Sequence, residues 1–320
     1  ELKSLGDVDV LDGLLGFNEQ LIDMVAGVYS YGVRVTDDHG NSYEFEDYGI
    51  FSVESHIDFT VEVSDEVLNP GEEFTVYGQV NSDNAVTVSV LYADAYEAEV
   101  AEDNTYSVTL TVPDNAAPQV HEVQVTVEDS FGNSGTSSTV IYVNQVATSL
   151  ENVLSSVDFL PAETLTAATK ILDQTGVEMA GKVDIEVYDP NGGELYSGQH
   201  SAGEEIEFVF AKYSLPGDYE YVASYEELEK TTELEIAKVK ETSYYVRGDV
   251  LYFTNEGNVL YEDTVTVYLI STVDGDKKTY IVEEEVSLQP GGNTQIDLSE
   301  EVPSGEYEVV VDRSEERRVG

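Results

Sequence analysis

Apolar and polar residues alternate with period two along most of the chain: FTVEVS at 59–64, AVTVSVLY at 85–92, YSVTLTV at 106–112, HEVQVTVE at 121–128, KVDIEVY at 182–188 and YEVVV at 307–311. That period places successive side chains on opposite faces of an extended backbone, so each stretch is predicted to be a strand with one buried face. The clusters NPGEE, NSDN, DPNGG, VDGD and QPGGN lie between them, with the Gly, Pro, Asn and Asp content of turns and the spacing of an antiparallel sandwich. Helical periodicity is scarce. NEQLIDMV at 18–25 is the best candidate for a turn or two, and the charged EELEKTTELE at 226–235 passes into the alternating TTELEIAK.

Three internal marks repeat at domain-sized intervals. VRVTDDHGNS at 33–42 and VTVEDSFGNS at 125–134 match at Val33/Val125, Val35/Val127, Asp37/Asp129, Gly40/Gly132, Asn41/Asn133 and Ser42/Ser134, a period of 92 residues. Pro70 in NPGEEF and Pro161 in LPAETL stand 91 apart. Gly-x-Tyr opens a strand in GVYSYGV at 27–33, GDYEYVA at 217–223 and GEYEVVV at 305–311, and in the second repeat His121 takes the tyrosine's place. Tyr29, Tyr219 and Tyr307 resemble the tyrosine corner of immunoglobulin-like sandwiches, whose phenol hydrogen-bonds back to upstream backbone.

These marks predict an all-β chain of tandem immunoglobulin-like sandwiches in an elongated array. They give a partial domain at 1–54, domains at 55–145 and 146–240, and a last one at 241–312 lacking its final strand. Few contacts are expected to cross near residues 55, 146 and 241. In PGEEFTVYGQV and VEDSFGNSG the second domain resembles the immunoglobulin-like modules of bacterial and archaeal surface proteins. The third, with LPAETLTAATKILDQTG, VDIEVYDPNGGELY and LPGDYEYVA, is similar to a macroglobulin-type domain. The fourth, with VLYFTNEGNVLYEDTVTVYLIS and LQPGGN, resembles the cell-adhesion-related domain of bacteria and archaea. The resemblance implies a fold and a surface setting; it implies no ligand.

Composition sharpens the picture. Sixty-five Asp and Glu against 14 Lys and Arg give a formal net charge of −51, and no cation occurs between Arg34 and Lys170. Such a field repels nucleic acid and anionic lipid surfaces and takes up counterions. The 22 Tyr and 10 Phe set the chain apart from disordered acidic sequences. The absence of Cys removes disulfides, thiolate catalysis and Cys-ligated zinc. No apolar run reaches the roughly 20 residues needed to cross a bilayer. The chain opens at Glu1 without a secretory leader, so an export signal is expected upstream.

Candidate chemistry is thin. The four histidines, His39 in a turn, His56 at a junction, His121 at a strand start and His200 in a loop, sit in no hydrolase motif, and there is no phosphate-binding loop. The oxygen-rich turns at Asp37, Asp38 and Asn41, at Asp129 and Asn133, and at Asp274 and Asp276 suit calcium. They equally suit tight hairpins, in which Asn and Gly accept positive φ and Asp caps the turn. DGDKKTYIVEEE at 274–285 has acids at three EF-hand positions but lacks the glycine at the sixth. Tyr43, Tyr48, Tyr92 and Tyr96 are candidates for an exposed carbohydrate-stacking surface, against the structural role that tyrosine takes in strands. No N-x-S/T sequon occurs.

The last eight residues, RSEERRVG, read as codons, resemble the start of a common sequencing adapter, so 313–320 is expected to be a non-native tail; a natural basic tail or cloning scar is the alternative. The reading as a whole is a non-catalytic structural or adhesive stalk of a large exported archaeal or bacterial cell-surface protein, S-layer component or adhesin. It would be adapted to salt or divalent cations, with neighbouring copies, other surface proteins or glycans as partners and no cofactor unless calcium. The alternative is an accessory region of an exported hydrolase or protease.

Overall fold

The computed structural model describes residues 27–53, 56–82, 84–273, 276–299, 302–303 and 305–312. They contain no helix and are two-thirds strand. The helical candidate at 18–25 and the tail at 313–320 lie outside them; 226–235, charged as it is, forms a hairpin turn and the strand beginning at Leu228. The chain packs into two units, Glu1–Val146 and Ala147–Gly320.

The described part of the first unit opens with a hairpin of β1 (Gly27–Thr36) and β2 (Ser42–Val53), antiparallel from Gly27↔Val53 to Thr36↔Ser42 with a bulge between Tyr31 and Val33. A sandwich follows, of β3 (Asp58–Phe59), β4 (Glu62–Val63), β5 (Val67–Leu68), β6 (Glu73–Asn81), β7 (Val86–Tyr92), β8 (Asp94–Val100), β9 (Thr105–Thr111), β10 (Val120–Asp129) and β11 (Ser134–Val143). One layer joins β3 and β4 to β6 and β9; the other joins β7, β10, β11 and the short β5, which runs parallel to β11. β8 pairs with β7 along its first part and with β9 at Glu99 and Val100, crossing between the layers.

Alternation does the building. In β10 the valines at 123, 125 and 127 turn inward, and they meet Phe74, Val76, Val80, Val88, Val90, Tyr106, Leu110, Ile141 and Val143. Burying each such side chain stabilises the fold by roughly 1.5–3 kcal/mol, so a charge at Val125 would abolish the sandwich.

The second unit holds two cores. The first has β12 (Ala147–Leu154), β13 (Asp158–Phe159), β14 (Thr164–Asp173), β15 (Glu178–Met179), β16 (Lys182–Tyr188), β17 (Glu194–Ser201), β18 (Ile206–Val209), β19 (Gly217–Tyr225) and β20 (Leu228–Ile236). β12, β14, β15 and β18 form one layer, and β13, β20, β19, β16 and β17 the other, again with the short strand β13 parallel to the last, β20. Leu165, Ile171, Ile185, Val187, Phe210, Tyr219 and Tyr221 fill the space between.

The second core lies between β21 (Thr242–Arg247), β22 (Val250–Asn255) and β25 (Asn293–Asp297) on one side and β23 (Tyr261–Val273), β24 (Asp276–Leu288) and β26 (Glu308–Asp312) on the other. Leu251, Phe253, Val265, Val267, Leu269 and Ile296 are its centre. Asp276 opens a 13-residue strand and its neighbours to Glu285 stay in it, so 276–285 is strand rather than ion-binding loop, while Asp274 lies outside the described residues. Among the described residues β26 pairs with β23 alone. All three sandwiches share one order, with the first, second and fifth major strands in one layer and the third and sixth in the other, which is immunoglobulin-like.

Candidate functional site

Two local devices absorb many of the residues singled out by sequence. The first is a turn. At Asp37–Asn41 the backbone N–H of Gly40 donates to Asp37 O and that of Asp37 to Asn41 O, and Gly40 has φ +82°. The same pair of bonds closes Asp129–Asn133, Asp173–Val177 and Asp189–Gly193, with Gly132, Gly176 and Gly192 at φ +82°, +79° and +78°. The left-handed residue explains the invariable glycine. The aspartate explains the rest: its Oδ1 accepts backbone N–H bonds from the second and fourth residues after it. These are His39 and Asn41, Phe131 and Asn133, Thr175 and Val177, and Asn191 and Gly193, at 2.8–3.0 Å.

In the first two turns the other oxygen is engaged as well. Asp37 Oδ2 accepts Asn41 Nδ2 at 2.8 Å, and Asp129 Oδ2 accepts Asn133 Nδ2 at 2.7 Å and Asn84 Nδ2 at 3.2 Å. Asp37 is held below the ordinary carboxylate value, first by the Asn41 side chain and then by backbone donors, and the turn is exposed. Asp129 is buried; burial pushes its carboxyl up, and the combined bonds from Asn133, Phe131 and Asn84 outweigh this and bring it below the ordinary value. A cation entering either turn would compete with these donors for the carboxylate oxygens. Asp38 is exposed within the first turn. Among the described residues no group of three or more His, Cys, Asp or Glu side chains is placed to hold a metal ion. Asp173 and Asp189 were not singled out by sequence, although the spacing Asp-x-x-Gly marks them equally.

The second device is a corner at the start of one strand in each sandwich. Tyr219 Oη donates to Leu215 O at 2.8 Å, and Tyr307 Oη donates to Pro303 O at 2.5 Å. His121 Nε2 stands 2.7 Å from Ala117 O, where the nitrogen is the only possible donor. Each reaches back four residues from the sixth major strand: β19, the lead-in to β26, and β10. Tyr29 lies on β1 and stacks on Phe51 at 5.7 Å; residue 25, four before it, is outside the described residues.

The proposed aromatic surface divides. Tyr43 and Tyr48 are 67% and 64% exposed, and both lie close to Phe45. Tyr92 is only 4% exposed, edge-on to Phe74 and His121, and Tyr96 is half-buried against the same core, so these two are not surface residues. Tyr92 points inward because it continues the buried phase of β7 from Val88 and Val90. His200 lies within β17 rather than in a loop, its Nε2 2.5 Å from Tyr196 Oη, and His56 faces Asp58 at 3.5 Å. No helix among the described residues is long and apolar enough to cross a membrane.

No protein-family model matches the chain, and no curated protein matches it in sequence. Among solved structures, the chain is similar to a tetra-tandem repeat from the extending region of a large adhesion protein, at 16% identity and TM-score 0.34, covering 93% of this chain and 83% of that one. It is similar to a bacterial ice-binding adhesin at 15% identity and TM-score 0.31, covering 77% and 88%. A three-immunoglobulin-domain stretch of titin aligns at 14% identity and TM-score 0.38, covering 82% and 95%. These likenesses are of fold, and nothing about ligand or partner follows from them.

Proposed function

We propose that the chain is a non-catalytic, structural and adhesive stretch of an exported cell-surface protein, in which successive immunoglobulin-like sandwiches, each a domain with its own core, provide reach and a protein- or glycan-binding surface. One observation carries this reading: among the described residues the buried polar side chains are spent mainly on architecture, with Tyr92 Oη and Asn133 Oδ1 the buried atoms left without a hydrogen-bond partner. Asp129 and Asp173 close turns, Asn255 and Asn258 fix loops, and Thr169 bonds Asn152 Oδ1 and Tyr221 Oη inside its sandwich. A site that does acid–base or nucleophilic chemistry needs such groups to converge on a shared space that a substrate can enter.

The cation-free acidic stretch from 35 to 169 fits a surface working in a salt-rich medium, where screening lets like-charged neighbours sit side by side. Antibodies raised against the chain and applied to intact, unpermeabilised source cells test the reading. Surface labelling is expected, together with retention of chain-coated beads on those cells or on their isolated glycans. Labelling only after permeabilisation, or turnover of an ester, glycoside or peptide substrate by the chain, would overturn it.

A further inference from the structure

Asn258 sits in the turn between β22 and β23, is 2% exposed, and makes none of its side-chain bonds within its own sandwich. Its Nδ2 donates to Ser214 O at 3.1 Å and to Ala237 O at 3.0 Å, and its Oδ1 accepts from Val239 N at 2.7 Å. Its backbone N–H donates to Val239 O at 3.0 Å. Ser214 belongs to the loop before β19, and Ala237 and Val239 to the connector leaving β20. The amide therefore uses both donors and its acceptor on the neighbouring sandwich and the segment between the two.

The rest of the turn closes on the same connector. Glu256 and Gly257 both donate backbone N–H bonds to Glu241 O, at 2.8 and 3.0 Å. A Cβ on Gly257 would lie 2.2 Å from Val239 O, so only glycine lets the turn come down onto the connector. At the rim Lys212 Nζ meets Glu256 Oε2 at 2.5 Å, Ser243 Oγ donates to Glu256 Oε1 at 2.8 Å, and the Tyr213 ring covers Gly291. The expectation of few contacts near residue 241 does not hold here.

We infer that the turn 255–258 is a lock, with Asn258 as its central group, that fixes the sandwich of β12–β20 and the sandwich of β21–β26 in one orientation so that they move as a single body. The physical reason is asymmetry. A buried amide costs little when all its bonds are made and a great deal when they are not, and any swing of one sandwich against the other strands Asn258 together with Ser214 O, Ala237 O and Val239 N–H. Asn255, three residues earlier and 1% exposed, is the natural control. Its Nδ2 donates to Val259 O and Leu288 O and its Oδ1 accepts Gly257 N, all within its own sandwich.

The chain has no Cys, so spin labels can be placed cleanly by Glu229→Cys and Ser287→Cys, both exposed and on opposite sides of the joint. In the full chain the inter-label distance distribution is expected to be narrow. Asn258→Ala, and the isosteric Asn258→Asp that keeps the shape but loses both donors, should broaden it several-fold. Amide exchange at Val239 and Asn258 should accelerate about tenfold or more, while amides within β22 and β23 keep their protection. Asn255→Ala should do the reverse, weakening protection in β22 and β23. The inference is overturned by a broad distribution in the unaltered chain. It is equally overturned if both Asn258 variants leave distances and exchange unchanged, or if they act only by unfolding the β21–β26 sandwich as Asn255→Ala does.

Discussion

His121 and Tyr219 make the same bond: each side chain opens the sixth major strand of its sandwich and reaches the carbonyl oxygen four residues upstream, at Ala117 and at Leu215. An imidazole and a phenol thus fulfil one structural role. The carbonyl needs a single donor at that distance, held by a rigid ring whose body packs on the core.

Tyr219 is buried and its corner bond is made inside the sandwich, so Tyr219→Phe is expected to destabilise the β12–β20 sandwich by about 1–2 kcal/mol, with little change in packing. Tyr307 is only half-buried, and Tyr307→Phe should cost less. Urea denaturation of the two variants, followed by near-ultraviolet dichroism, gives the comparison; equal costs would show that burial does not set the value of the bond.

Asp129 should tie stability to acid. Its carboxyl in the folded chain lies below its ordinary value, so the stability it contributes is present above the unfolded value near 4 and is lost as the pH falls through the folded one. Asp129→Asn places an amide against Asn133 Nδ2 and Asn84 Nδ2. It should cost about 1–3 kcal/mol at neutral pH and flatten the acid limb of the stability curve below about pH 4. The corresponding change at exposed Asp37 should act in the same direction and less. Denaturation midpoints from pH 2 to 7 decide this.

Gly78 has no room for a side chain. A Cβ there would fall 1.9 Å from Thr60 O, the oxygen that also accepts Tyr106 Oη at 2.7 Å. Tyr106 is buried, and burial pushes its hydroxyl up to about 12. Gly78→Ala is expected to push the segment between β3 and β4 off the sheet and to cost about 3 kcal/mol or more, measured by thermal unfolding. Gly40→Ala, at a left-handed position with nothing within 4 Å, should cost only about 1 kcal/mol.

Ionic strength should act more strongly than calcium. Residues 55–145 carry sixteen Asp and Glu and no Lys or Arg, and like charges several ångströms apart repel by up to a few kcal/mol at an effective dielectric near 20. Sodium chloride at ~1 M shortens the Debye length to about 3 Å and removes most of this. The melting temperature of the chain should therefore rise in molar salt and respond alike to millimolar calcium and magnesium. The oxygens of Asp37 and Asp129 already hold N–H donors. A rise specific to millimolar calcium would place a site at those turns, and no change in any condition would leave the acidity as a matter of solubility.

Period-two alternation made the strands legible, because a half-buried strand writes its inward face at every second residue, as Val123, Val125 and Val127 do. What stayed hidden were uses of polar residues that depend on distant partners. NEGN at 255–258 reads as an ordinary turn, and nothing local shows that Asn258 faces Ser214 and Ala237 while Asn255 faces Leu288. The place of Tyr92 is not legible from its type, because tyrosine serves both surface and core, and only the phase of β7 distinguishes them. β8 is also hard to read locally: DAYEAEV alternates, but small and acidic residues dominate it, and its strand character comes from pairing with both layers.

The short parallel strands have a mechanical meaning. β5 lies along β11 through bonds from Tyr142 N to Glu66 O and from Asn144 N to Leu68 O, and β13 lies along β20 through Glu235 N to Val157 O and Ala237 N to Phe159 O. Each pair joins the region where the chain enters a sandwich to the strand by which it leaves. Tension between entrance and exit pulls the two strands of a pair lengthwise in opposite directions. The bonds are then loaded in shear and must yield together, whereas a hairpin pulled from its open end parts one bond at a time. The clasp is strongest along the line that joins entrance to exit.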